Sequence, residues 1–304
     1  MNFLKKWYTY QKERFPILTF ALYIFCIVFA TFCFCHYFGK INYEILLKTV
    51  VFFREPDPYS IDYLTMIPMF IVAFLQFLMV RIADEFKDYE EDCKYRPYRP
   101  VPRGLITLKE LKVLFIICAI IQLIITLIYS RDSVILLLFV WAYFAIMSKD
   151  FFLKKFLDKH LLINVTFDEI LLPILVLYLS SYVYIDGNIW LLLLMSYIIS
   201  WIVEVARKIR CKQEEEEGVK TYTAVFGIGG AIFILFILET ILMLLQIMIL
   251  GKKYLIIIIG VYILVNIINL LFINKKNKKS AKITELSANI YIIVAYLSLG
   301  LLIL

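Results

Sequence analysis

Nine apolar runs, near residues 17–38, 61–82, 108–129, 133–148, 160–184, 188–205, 224–249, 254–273 and 286–304, leave this chain few ways to fold. A helix rises 1.5 Å per residue, so crossing a bilayer core takes roughly 20 apolar residues. All the runs come close to that length except the one at 133–148, which is short. Hydrophobic residues make up 62% of the 304, where soluble domains hold about 45–50%. The expectation is an all-α integral membrane protein, a single polytopic domain over 1–304 with nine transmembrane helices. The run at 17–38 is longer than a signal-peptide core and eight more follow it, so it is expected to remain as a span.

The cations test this arrangement. All but six of the 32 Lys and Arg (the six are Lys40, Lys48, Arg54, Arg131, Lys252 and Lys253) fall on one side of a nine-span layout. The positive-inside rule then places the N-terminus in the cytoplasm. This location accounts for the net charge of +7 without invoking nucleic acid, and no nucleic-acid partner is expected. Residues 1–16, with Lys5, Lys6, Trp7, Tyr8, Lys12 and Arg14, read as an interfacial helix, because Trp, Tyr and Lys favour the headgroup level. The basic run Lys275 to Lys282 reads as an anchor to anionic membrane lipids. Arg54-Glu55-Pro56-Asp57-Pro58 reads as an external turn. Pro68 and Pro173 fall inside expected helices and predict kinks. The six cysteines form no C-x-x-C pair and read as packing residues. The Ile- and Lys-rich composition points to an AT-rich genome, and a bacterial cytoplasmic membrane is the expected location.

Charge is concentrated in Arg81 to Thr107, RIADEFKDYEEDCKYRPYRPVPRGLIT, between two apolar runs. Asp84, Asp88 and Asp92 are four apart, so each carboxylate drifts only about 40° from the last on a helix. Like charges at that spacing destabilise a helix, and bridging divalent cations would offset the repulsion. Mg²⁺ suits the pattern, because it takes a few carboxylate oxygens and completes its shell with substrate phosphate. Arg96, Arg99 and Arg103 follow, and guanidinium forks match phosphate oxygens. The bland alternative is a solvated, self-paired loop.

A second dense stretch, EVARKIRCKQEEEEGVKTY, runs from Glu204 to Tyr222. Glu204 follows directly on an apolar run, where an ionisable group is a functional hypothesis by default. Lys208 lies four residues on and Arg207 beside it, so both are also available to neutralise Glu204. Glu214 to Glu217 form an acidic run ended by Gly218, a helix-stop signal, and such runs are commonly solvated loops. Asp168 and Glu169 lie inside an apolar run. Either they contact an acceptor or abstract a proton, or they pair with a cation of another helix.

These residues resemble the UbiA superfamily of intramembrane prenyltransferases. The resemblance rests on Asp84-x-x-x-Asp88-x-x-x-Asp92, then Arg96-Pro97-Tyr98-Arg99-Pro100 and Pro102-Arg103-Gly104-x-Ile106, with Gly218-Val219-Lys220-Thr221-Tyr222 similar to the tail of the family's second motif. It implies helices around a central cavity, Mg²⁺ holding a prenyl diphosphate, and a lipophilic, commonly aromatic, acceptor. Metal ligands would be Asp84, Asp88, Asp92, Glu204 and Glu214. Arg96, Arg99, Arg103, Arg207, Lys208 and Arg210 would meet the diphosphate. Lys149 stands where family members carry a basic residue near the cavity, and Asp168 joins the catalytic candidates. Two departures stand out. Asp84 replaces the usual asparagine, and no aspartate occurs after Asp186, so Arg207 and Arg210 stand where acids are expected. A cyclase that ionises a prenyl diphosphate without an acceptor is the alternative enzyme reading. A transporter or lipid-binding membrane protein is the reading from another class, although transporter sites lie nearer the bilayer midplane.

Overall fold

The computed structural model describes residues 3–43, 62–185, 187–215 and 220–303. The expected turn at Arg54–Pro58, and Glu216, Glu217 and Gly218 of the glutamate run, lie outside the described residues. Among those described, the chain forms helices and short 3-10 turns only. In order they are α1 (Phe3–Arg14), α2 (Ile17–Tyr43), α3 (Met66–Lys87), α4 (Tyr89–Tyr95), α5 (Leu108–Tyr129), α6 (Val134–Met147) and α7 (Lys154–Leu157). Then come α8 (Leu161–Asp168), α9 (Leu171–Ser180), α10 (Ile189–Arg207), α11 (Tyr222–Leu250), α12 (Leu255–Lys275) and α13 (Lys278–Ile303).

Eight helical stretches among the described residues are long and apolar enough to cross a membrane. They correspond to eight of the nine expected runs. The ninth is helical too, but α6 has 14 residues, short of the roughly 20 that span a bilayer core.

The two prolines do not kink the middles of helices. Pro68 is the third residue of α3 and Pro173 the third of α9. A first-turn N–H has no intrahelical acceptor, so its absence removes nothing there. At Pro173 the effect is to divide the expected 160–184 span into α8 and α9. The Glu169 carbonyl, which a donor at position 173 would have taken, accepts from the Ser200 hydroxyl at 3.2 Å instead. In α11 the interruption comes from Gly227, at φ +71°, a conformation that glycine adopts without steric penalty.

The chain divides into two compact units, residues 1–161 with 177–186 and residues 162–176 with 187–304. In the first, α3 packs against α2 and α5. Several buried polar groups there find partners inside the bundle, as a bilayer favours. The Gln122 amide donates to the Val72 carbonyl (3.0 Å) and to Gln76 Oε1 (3.3 Å), and its own Oε1 accepts from the Trp141 indole at 2.8 Å. Thr126, Tyr178 and Tyr182 share a hydroxyl cluster. In the second unit α10, α11, α12 and α13 pack in succession, and Asn269 donates to the buried Glu239 carboxylate at 2.9 Å. Gln122→Leu would orphan the Trp141 donor within the bundle. The expected loss is about 1–2 kcal/mol, read as a lowered unfolding temperature of the detergent-purified protein.

Candidate active site

The aspartate row lies where α3 runs out. Helical hydrogen bonds continue across the junction. The Asp88 N–H donates to Asp84 O at 2.9 Å, Asp92 N–H to Asp88 O at 2.8 Å, and Arg96 N–H to Asp92 O at 2.9 Å. After Arg96 the backbone turns repeatedly. Gly104, at φ +75°, makes a left-handed turn that a side chain would strain. Thr107 then caps α5, its hydroxyl accepting from Glu110 N–H while Glu110 Oε2 accepts from Thr107 N–H. Apolar side chains pin this segment down, with Val101, Ile106 and Leu111 buried against Ile82 and Tyr10. It is folded structure, not a solvated loop.

The three aspartates occupy three environments. The Asp84 side chain is 42% exposed, with Arg81 Nη1 at 3.3 Å. Asp88 is half-buried. Burial, and then the neighbouring Asp92 charge, pushes its carboxyl above the usual range against the pull of Lys87, Arg96 and Arg99. Asp92 is buried. Arg99 Nη1 lies 2.8 and 2.6 Å from its two oxygens, Arg96 Nη1 is 3.1 Å away, and Arg14 Nη2 is at 3.9 Å. Beside it, buried Glu85 accepts from Arg14 Nε at 2.5 Å and Arg81 Nη2 at 3.0 Å. Arg96 Nε is buried with no partner, a donor still lacking an acceptor. Among the described residues no group of three or more His, Cys, Asp or Glu is placed to hold a metal ion.

Arg103 reaches elsewhere, donating to the Tyr98 carbonyl at 2.8 Å and to Glu13 at 2.9 Å. With Lys6–Glu110 at 2.6 Å and Arg14–Glu85, that pair ties α1 to the aspartate segment and to α5. The interfacial helix expected at 1–16 therefore also supplies a half-buried arginine. Nothing in the sequence marks Arg14 for Glu85, because the pairing spans 71 positions. Lys149 is exposed. Its neighbour Asp150 is the residue that meets the segment, through Lys87 at 2.5 Å. It opens a turn in which Asp150, Phe151 and Phe152 all have φ between 50° and 59°, a run of left-handed residues that costs energy in any L-chain.

In the second unit Glu204 lies in the last turn of α10, only 8% exposed. Arg207 Nη2 lies 2.5 Å from its Oε2, and Lys208 Nζ bonds its Oε1. Asp168, Glu169 and Glu204 lie within electrostatic reach of one another and of the Tyr222 hydroxyl, which is buried and unpartnered. Glu214 takes Lys278 at 3.1 Å on one oxygen and the Cys211 thiol at 3.5 Å on the other. Burial works against its ionisation, but Lys278, Cys211 and Arg210 together hold the carboxyl below the usual range. Glu215 accepts from Thr221 and Thr223. Arg210 donates its backbone N–H to Thr223, and its half-buried guanidinium makes no ion pair among the described residues.

Residues 57–293 match the sequence profile of the UbiA prenyltransferase family. The chain belongs to that family. Two solved structures share the fold of this UbiA member. One, of digeranylgeranylglyceryl phosphate synthase, gives a TM-score of 0.59 at 20% identity, over 94% of this chain and 99% of that one. The other, an apo UbiA homolog from Aeropyrum pernix K1, gives 0.59 at 15% identity, over 90% and 96%. No curated protein matches in sequence. At such identities the structural likeness concerns the fold, and the chemistry of this UbiA chain has to be read from its own residues. The ion pairs give a direct contrast. Arg99→Ala leaves buried Asp92 short of its closest cation, an expected loss of about 3 kcal/mol. Arg103→Ala opens only an exposed pair and is expected to lose under about 1 kcal/mol. Denaturant or thermal unfolding of the two variants side by side measures the difference.

Proposed function

We propose that this UbiA prenyltransferase moves an allylic prenyl group from a prenyl diphosphate to a lipophilic acceptor in a Mg²⁺-dependent reaction. The observation that carries this reading is how charge is divided in the aspartate segment. Glu85 and Asp92 are buried and neutralised by arginines of the chain, whereas Asp84 stays partly exposed and Asp88 is crowded by a like charge. Mg²⁺ is commonly bound through one or two carboxylates plus substrate phosphate, and Asp84 with Asp88 is a donor set of that kind. When bound, it would neutralise the diphosphate and act as a Lewis acid on the leaving oxygens.

The residues of the chain do the rest. Arg96 offers its unpartnered Nε–H to a phosphate oxygen, a preorganised donor of the kind that stabilises developing charge. Arg99 and Arg96 hold Asp92 in place. The C–O bond of the prenyl diphosphate breaks with its electron pair leaving on diphosphate. An electron-rich atom of the acceptor then forms the new bond to the allyl carbon and loses a proton. The released proton leaves to bulk water. The apolar helix faces keep water from intercepting the cation.

The test is pyrophosphate release from geranyl, farnesyl and geranylgeranyl diphosphates, with Mg²⁺ or with EDTA, and with or without aromatic and lipid-alcohol acceptors. Mg²⁺-dependent release is expected, lowered about 100-fold or more by Asp88→Ala or Asp84→Ala. The organic product should contain the acceptor, since a hydrocarbon made without one would identify a cyclase. Absence of release with every substrate and acceptor would sink the reading.

A further inference from the structure

One side of α1 makes the ion pairs that hold the helix in place, with Lys6, Glu13 and Arg14 reaching Glu110, Arg103 and Glu85. Another side has a different character. Leu4, Trp7, Tyr8 and Gln11 follow the i, i+3, i+4, i+7 spacing of a single helix face. With Phe74 and Leu78 of α3 they line a cavity of about 380 Å³, within the roughly 300–1,000 Å³ of small-ligand sites. The whole cavity belongs to the first unit. Leu4 and Tyr8 are 74% and 66% exposed, so it opens at the rim of α1. Two residues separate α1 from the span that begins at Ile17, which sets the cavity at the level where hydrocarbon gives way to headgroups.

Two side chains in the wall carry polar atoms without partners. Trp7 Nε1 is buried and makes no hydrogen bond, and neither does the hydroxyl of Tyr10, which is 2% exposed and also lines the cavity. An indole N–H can only donate, and a buried donor without an acceptor is destabilising. The rest of the wall is mostly hydrocarbon, so the occupant that fits is an apolar chain carrying an acceptor near one end. Two lysines specify its head. Lys5 precedes Tyr8 by three residues and Lys12 follows it by four, so both border the cavity mouth along one edge of the helix. Both are exposed, and neither makes an ion pair among the described residues. An anionic headgroup at such lysines is electrostatically favoured.

We propose that this cavity binds one anionic phospholipid, with an acyl chain between α1 and α3, an ester carbonyl accepting from Trp7 Nε1, and the phosphate at Lys5 and Lys12. Apolar wall, donor and cations stand in the order in which a phospholipid presents chain, ester and charge. An interfacial helix meets many lipids in passing, whereas a walled cavity with a fixed donor holds one. The lipid is then a resident part of the first unit, packed on α1 beside the ion pairs that reach the aspartate segment.

Native mass spectrometry of the full-length protein tests this. The protein is reconstituted with equimolar phosphatidylglycerol and phosphatidylcholine of matched chains, then returned to detergent. One phosphatidylglycerol retained per chain is expected, preferred by at least about 10-fold, the scale set by two lysines near an anionic headgroup. Lys5→Gln/Lys12→Gln alters only exposed side chains and should bring that preference close to unity. Trp7→Phe keeps a ring in the wall, removes the donor and should weaken retention about 2- to 10-fold. Absence of retained lipid, equal retention of the two lipids by the unaltered protein, or unchanged retention in Trp7→Phe would each overturn the proposal. So would a preference that survives the double lysine variant, because the lipid would then sit at another basic patch such as Lys275 to Lys282. Displacement of the lipid by farnesyl S-thiolodiphosphate, an unreactive prenyl analogue, would assign the cavity to a substrate chain and overturn it as well. Should Trp7→Phe fail to fold, the lysine variant decides.

Discussion

Two buried carboxylates, Glu85 and Asp92, set the terms for the first unit. An ionised carboxylate withdrawn from water is costly unless paired and hydrogen-bonded. Here the pairing recruits four arginines from three stretches of chain, with Arg14 from α1, Arg81 from α3, and Arg96 and Arg99 from the turns after α4. Removing any one takes away one of the two arginines that meet a buried carboxylate. The network therefore fixes where α1 lies, where α3 gives way to α4, and how the Arg-Pro turns fold back. It also separates the aspartates chemically. Asp92 is enclosed by arginines, whereas the Asp84 side chain is 42% exposed and Asp88 is half-buried.

Charge is handled differently in the second unit. Glu204 is satisfied by its own helix turn, through Arg207 and Lys208, so it recruits nothing distant. The reach of the segment comes instead from Glu214, which meets Lys278 at the start of α13. A carboxylate that neutralises itself locally positions cations. One that needs partners from afar organises a fold.

The irregularities in the helices concentrate near these polar groups. Pro173 opens the chain beside Asp168 and Glu169, the Gly227 break follows Thr221 and Thr223, and the left-handed turn at Asp150–Phe152 is tied to Lys87. In a bilayer, a backbone group released from a helix needs another partner, and Ser200 supplies one for Glu169.

By itself the sequence determined the helical class, eight of the spans, the family, and the location of both polar segments. Apolar length and charge spacing are local properties, and the bilayer admits few structures that satisfy them. It also contained the Glu204–Lys208 pairing, because a four-residue offset is fixed by helix geometry. The tertiary structure alone decided that the expected 160–184 span is two helices, and that α1 contributes Arg14 to Glu85. It likewise decided that Arg103 anchors Glu13, and that Asp150 rather than Lys149 meets the aspartate segment. The physical reason is the same in each case. Burial and long-range ion pairing depend on which surfaces are brought together in space, and three aspartates identical in spacing acquire different environments only when the fold surrounds one with arginines and leaves another near water.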